Sequence, residues 1–323
     1  MRALLFFVPL AAYGAACVST TGCTEWVSLG SGPERSMIYR TYPLTEKNEN
    51  IKRAFILVHG TNRDADNYFR NATAAAFLAG ALDDTIIISP RFASNSGTPE
   101  GCKDTLAPNE VNWSCNGDSW RSGGMAIHPK GLTSYDFADE ILRKLARKDV
   151  FPHLKRIVLA GHSAGGQFVT RYEMSNKVHD SLGVPVTYVV SNPSSYAYPE
   201  STRPVAVSTK CPAYNRWPYG FDNRGSGYAS KIPDEQLKKQ LVARPTVYLL
   251  GEIDILPLGG FDASCSAMAQ GPTRLARGEA FIKLVVEKYG AKDSKEVIAH
   301  LCGHNARCMF TSEEALPIVF PKE

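Results

Sequence analysis

The sequence predicts an α/β fold with a mainly parallel central sheet, helices on both faces and insertions over its carboxyl edge. Three observations lead there. Short apolar runs ended by glycine or proline recur along the chain, helical patterns lie between them, and the runs are apolar on both faces, as strands covered on each side must be. Strand alternating with helix then implies right-handed crossovers within one sheet.

In order, the strand runs are RAFILVHG (53–60), DTIIISP (84–90), KRIVLAG (155–161), PVTYVVSN (185–192), RPTVYLLG (244–251) and the weaker KEVIAH (295–300). The helical segment from Thr133 opens with Thr133 and Asp136 in capping-box spacing and keeps Phe137, Ile141, Leu142 and Leu145 on one face. Its acidic residues come first and its basic residues last, the order that complements a helix dipole. After residue 163, Phe168, Val169 and Tyr172 continue an apolar face, and in 273–289 Leu275, Ile282, Val286 and Tyr289 form another. Two segments, 91–132 and 193–243, break the alternation. Both are long and rich in turn residues, yet they hold aromatics and cysteines, so they read as ordered insertions over one end of the sheet.

The chain has 323 residues, 44% hydrophobic, enough for a large core in one α/β domain, taken as 36–323. The net charge of +4 comes without a basic run that would suggest nucleic acid. The N-terminus, MRALLFFVPLAAYGAAC, has a short positive start, an apolar stretch and small residues before Cys17, so 1–16 is expected to be a signal peptide and 17–35 an N-terminal extension. Cys17 after Gly-Ala-Ala also permits a lipid anchor, although Gly14 stands where a larger aliphatic residue is usual. No other run approaches a membrane span. The expectation is a secreted, periplasmic or cell-envelope protein.

Eight cysteines in an exported chain suggest disulfides. Proximity groups Cys102 with Cys115, Cys211 with Cys265 and Cys302 with Cys308, with other pairings open; Cys17 and Cys23 remain at the N-terminus, where lipidation of Cys17 would leave Cys23 unpaired. No C-x-x-C pair suggests a metal, and no organic cofactor is implied. Asn71 and Asn112 head sequons that matter only in a eukaryotic secretory pathway.

The chemistry centres on Gly161-His162-Ser163-Ala164-Gly165, a G-x-S-x-G pattern directly after a strand and before a helix. The plain alternative is a glycine turn with an N-cap serine. A serine nucleophile needs a base, and the base needs a carboxylate to orient it. Asp254, just past the strand 244–251, suits the acid; Glu252 and Asp262 compete. Only His300 and His304 follow, and His304 in the loop beyond the last strand suits the base, in a ring that a Cys302–Cys308 bridge would close. The oxyanion donors are expected to be the backbone N–H groups of Ala164, after the nucleophile, and Thr61, after the first central strand.

From about residue 36 the chain resembles the α/β-hydrolase superfamily, and within it secreted serine carboxylic ester hydrolases. His59-Gly60-Thr61, the Ser163 motif, Asp254 and His304 carry the resemblance, in that order. It implies that Ser163 attacks, His304 relays the proton and Asp254 orients His304, in ester cleavage through an acyl-enzyme. The chain departs from the lipase and esterase pattern in lacking an HGGG run, since Thr61-Asn62 follow His59-Gly60. A serine peptidase or amidase, and a non-catalytic exported binding module, are the rival readings. Without a long apolar lid helix, a soluble or moderately polar ester fits better than triglyceride. Trp113, Trp120, Trp217, Tyr219, Phe221 and Tyr228 either line a pocket or form the insertions' own cores.

Overall fold

The apolar runs become strands in a computed structural model that describes residues 14–97 and 102–322. Most of the expected signal segment, residues 1–13, lies outside the described residues. The chain order begins β1 (Thr24–Ser28), β2 (Arg35–Arg40), β3 (Arg53–Val58), α1 (Ala65–Leu78) and β4 (Thr85–Pro90). The first insertion contributes a short pair, β5 (Asn112–Trp113) and β6 (Ala126–His128). Then come α2 (Ser134–Leu145), β7 (Arg156–His162), α3 (Ala164–Ser175), β8 (Val186–Ser191), α4 (Asp234–Ala243) and β9 (Thr246–Gly251). The chain closes with α5 (Cys265–Met268), α6 (Arg274–Lys283), β10 (Ser294–Ala299), α7 (Ala306–Thr311) and α8 (Leu316–Val319).

Eight strands form one sheet in the order β1-β2-β4-β3-β7-β8-β9-β10. From β4 to β10 every neighbouring pair is parallel. Both faces are buried, as the apolar runs require. Ala54, Ile56 and Val58 face a core shared with α2 and α3, while Phe55 and Leu57 face one shared with α1 and α7. The parallel register aligns Val58 with Gly161, His162 with Ser191 and Ala299 with Gly251, so these strands end along a common carboxyl edge.

The capping box at α2 forms: Thr133 Oγ1 accepts from the Asp136 N–H and the Asp136 carboxylate accepts from the Thr133 N–H. Two strands escaped the pattern. The stretch 17–35, expected as an extension, supplies β1 at the sheet edge, and β2 pairs antiparallel with both β1 and β4. Only Val27 in β1 and Ser36 and Ile38 in β2 are buried, so TEWVS and RSMIYR lack the continuous apolar signature of the inner strands.

The helix after residue 273 also differs. It ends at Lys283 and passes into a π-turn, Leu284–Lys288. Its buried face is Arg274, Arg277, Gly278, Phe281 and Ile282, continued by Val285, whereas Val286 is exposed. Two arginines turn inward because their acceptors lie at the sheet edge, and the wider turn rotates the face that follows.

Trp113 and Trp120 are buried against Phe92, Phe137 and Phe168, so they belong to the core. Phe221 and Tyr228 are buried in the same cluster, and the Tyr228 hydroxyl donates to Asp139. Disulfides join Cys102 to Cys115, Cys211 to Cys265 and Cys302 to Cys308, and Cys17 to Cys23, which occupies the thiol that a lipid anchor needs. No helix among the described residues is long and apolar enough to cross a membrane. Asn71 is largely buried in α1, and the Asn112 amide donates to Asn95.

Candidate active site

The site begins at the turn between β7 and α3. A side chain at Gly161 would put its Cβ 2.1 Å from the Gly165 carbonyl oxygen, and one at Gly165 would come 2.2 Å from that of Val58. Only glycine permits this close crossing of turn and sheet. Ser163 is held at φ 59°, a strained conformation for a non-glycine residue, with its N–H donating to the Ser191 carbonyl at 3.0 Å. Its hydroxyl sits at the carboxyl edge, where α3 points its N-terminus.

Two distant segments reach that hydroxyl. Ser163 Oγ donates to His304 Nε2 at 2.9 Å, and His304 Nδ1 donates to Asp254 Oδ2 at 2.8 Å. His304 lies in the ring closed by Cys302 and Cys308, between β10 and α7. Asp254 is fully buried just beyond β9, and its other oxygen faces Arg274 at 3.4 Å. The competitors are engaged elsewhere. Glu252 is half-exposed, accepts from the Leu301 N–H and faces His300, itself exposed. Asp262 accepts from the Tyr219 hydroxyl and the Ser264 N–H.

The expected oxyanion positions flank the serine. Ala164 opens α3, and Thr61 lines the same cleft as Ser163 and His304. The loop carrying Thr61 is braced from below. His59 is buried and its pKa is pushed down to about 3, chiefly by desolvation, so its neutral ring donates from Nδ1 to the Gly60 carbonyl and accepts at Nε2 from the Phe92 N–H. The buried Tyr68 hydroxyl lies against Gly60 and donates to His162 Nδ1 at 3.0 Å. Desolvation, then the neighbouring His304 and Arg274, holds His162 well below the ordinary histidine range. Its ring lies 4.6 Å from that of His304.

The sequence reading missed Tyr68, His162 and Arg274. The Arg274 guanidinium donates to Ser194 Oγ and to the carbonyls of Leu258 and Gly259 as well as facing Asp254. Arginines 274 and 277, three apart on a helix that must pack against a sheet, were the available signal. The cleft at Ser163 encloses about 490 Å³. Among the described residues no cluster of three His, Cys, Asp or Glu side chains is placed to hold a metal ion.

A mostly parallel sheet with a serine, a histidine and an aspartate bonded in series at its carboxyl edge is the architecture of an α/β hydrolase. The chain belongs to the alpha/beta hydrolase family, whose model matches residues 55–316. Among solved structures it resembles a poly(3-hydroxybutyrate) depolymerase from Bordetella parapertussis, with a TM-score of 0.63 and 20% identity over 92% of this chain and 90% of that one. It also resembles poly(aspartic acid) hydrolase-1 from Sphingomonas sp. KT-1, with a TM-score of 0.64 and 21% identity over 92% and 97% of the two chains. No curated protein matches the chain significantly in sequence.

Proposed function

We propose that this protein is an exported serine hydrolase that cleaves carboxylic esters through an acyl-enzyme. The observation that carries the reading is the unbroken chain Ser163–His304–Asp254, with contacts of 2.9 and 2.8 Å. Ser163 Oγ attacks the ester carbonyl as His304 Nε2 takes its proton. The N–H groups of Thr61 and Ala164 receive the developing oxyanion, a service worth roughly 3–4 kcal/mol per donor. His304 then gives the proton to the leaving alkoxide, and later takes one from water as that water attacks the acyl-enzyme, returning it to Ser163 Oγ as the acyl–oxygen bond breaks and the acid leaves. Asp254 stays ionised throughout and stabilises the imidazolium. Export is supported by the N-terminal pattern and the disulfides.

The test is Ser163→Ala, assayed on 4-nitrophenyl acetate and by fluorophosphonate labelling. Turnover and labelling are expected to vanish, with stability changed by less than about 1 kcal/mol. Undiminished hydrolysis by the variant rejects Ser163 as nucleophile; amide cleavage without ester cleavage makes the enzyme a peptidase or amidase.

A further inference from the structure

The cleft beside Ser163 is built for a ligand unlike an aliphatic chain. Its wall from the loop after β3 and the start of α1 carries Thr61, Asn62, Asp64, Asn67 and Asn71. Positions 64, 67 and 71 follow helical spacing, so α1 turns a polar stripe toward the cleft while Phe69, Ala72, Ala75 and Ala76 bury its other side.

Asn71 is the informative member. It is only 7% exposed, it lines the cleft, and its amide, which makes no side-chain hydrogen bond among the described residues, keeps its polar atoms open to that cleft. A ligand that fills the cleft desolvates this amide, which is unfavourable unless the ligand supplies both a donor and an acceptor in place of water. Beside it, Asn67 donates to the Asp64 carboxylate at 3.1 Å, which fixes both side chains at the wall.

We propose that this polar wall is a subsite for a polyhydroxylated alcohol, so that the natural substrate is an ester of a sugar or saccharide chain. Each sugar hydroxyl both donates and accepts, and so does each asparagine amide, whereas a carboxylate beside them only accepts. Adjacent ring hydroxyls can therefore satisfy Asn71, Asn67 and Asp64 together. An alkyl group would strip water from Asn71 and from the Asn67–Asp64 pair and supply no hydrogen bond in return. The cleft volume of about 490 Å³ falls within the ordinary range for small-ligand sites. The inference rests on Ser163 being the nucleophile.

The experiment compares acetates that share an acyl group and differ in the alcohol: hexyl acetate, acetylated methyl glucoside and an acetylated cello-oligosaccharide. The sugar acetates are expected to exceed hexyl acetate in kcat/KM by about tenfold or more, and Asn71→Leu is expected to shrink that ratio by about tenfold. Asn71→Ser, which keeps a hydrogen-bonding group, retains part of the ratio and controls for misfolding. Calorimetry on Ser163→Ala with the acetylated cello-oligosaccharide reads binding without chemistry, and adding Asn71→Leu is expected to weaken it about tenfold. A higher rate on the oligosaccharide points to a polysaccharide source, equal rates to a monosaccharide, and both support the subsite. If hexyl acetate is cleaved as well as the sugar acetates, the subsite is overturned while the serine hydrolase reading stands. If no ester is cleaved and Ser163 does not label, both fall.

Discussion

Replacing Arg274 by methionine tests how the acid is held. The Arg274 and Asp254 side chains are both within 1% of complete burial, and their charged atoms lie 3.4 Å apart. At an effective dielectric of about 20, two unit charges at that 3.4 Å separation attract by about 5 kcal/mol. Desolvation offsets much of this in the intact pair, but deleting one partner strands the other, which typically costs about 3–5 kcal/mol. The substitution also orphans Ser194 Oγ and the carbonyls of Leu258 and Gly259. We expect Arg274→Met to lower unfolding free energy by about 4 kcal/mol at pH 7, read from urea denaturation. Gly259 lines the cleft beside His304, so release of this loop should also lower kcat, by about 100-fold. A double-mutant cycle with Asp254→Asn separates the pair from the rest of the loop, and about 2 kcal/mol of coupling is expected. Additivity within about 0.5 kcal/mol, or a single-mutant loss below about 1 kcal/mol, refutes the argument.

Glu173 on α3 predicts a pH dependence of stability. It is fully buried and its pKa is raised to about 8 from 4.5, because desolvation outweighs the hydrogen bonds from Thr246 and Tyr248 and the charge of Arg244. The folded state therefore keeps a proton that the unfolded chain releases, so this contribution is complete below pH 4.5 and is lost as pH rises toward 8. The two values differ by about 3.5, and at about 1.4 kcal/mol per pH unit the loss approaches about 5 kcal/mol. Glu173→Gln should flatten the slope of unfolding free energy between pH 5 and 8 by most of that amount; an unaltered slope in urea melts counts against a buried, protonated Glu173. Replacing Cys302 and Cys308 by alanine opens a short ring around His304 and should cost about 2 kcal/mol. Thermal melts read that loss, and kcat on 4-nitrophenyl acetate should fall further than the same destabilisation causes elsewhere in the chain; equal activity removes the ring's role in holding the base.

The elements legible in the sequence are those whose signal is local. The inner strands announce themselves because both faces are buried, and α2 because its cap, charges and apolar face agree. The meeting of Ser163, Asp254 and His304 was legible because each follows a strand end in the order expected for the proposed nucleophile, acid and base. β1 and β2 were not, since an antiparallel edge with one wet face carries only a weak alternation. The face of α6 was misread because arginines count as solvent-facing in any periodicity argument, yet here Arg274 and Arg277 find acceptors at the sheet edge that no local pattern reveals. The polar stripe on α1 is invisible for a related reason: Asn71 reads as a surface sequon until the fold buries it.

What the sequence motif leaves out is how the serine turn and the loop after β3 are kept in register. One hydroxyl connects them. Tyr68 reaches from α1 to His162 on one side, and its hydroxyl packs against Gly60 on the other. A side chain at Gly60 would come 2.8 Å from that hydroxyl, so the buried Tyr68 leaves room only for glycine there. The same bond bears on charge. A protonated His162 against the His304 ring would oppose the imidazolium that acyl transfer requires there. Burial keeps His162 neutral, and the Tyr68 hydroxyl occupies its Nδ1 with a donor, which disfavours a second proton at that atom. His162 can therefore pack against His304, the proposed base, without competing for its proton.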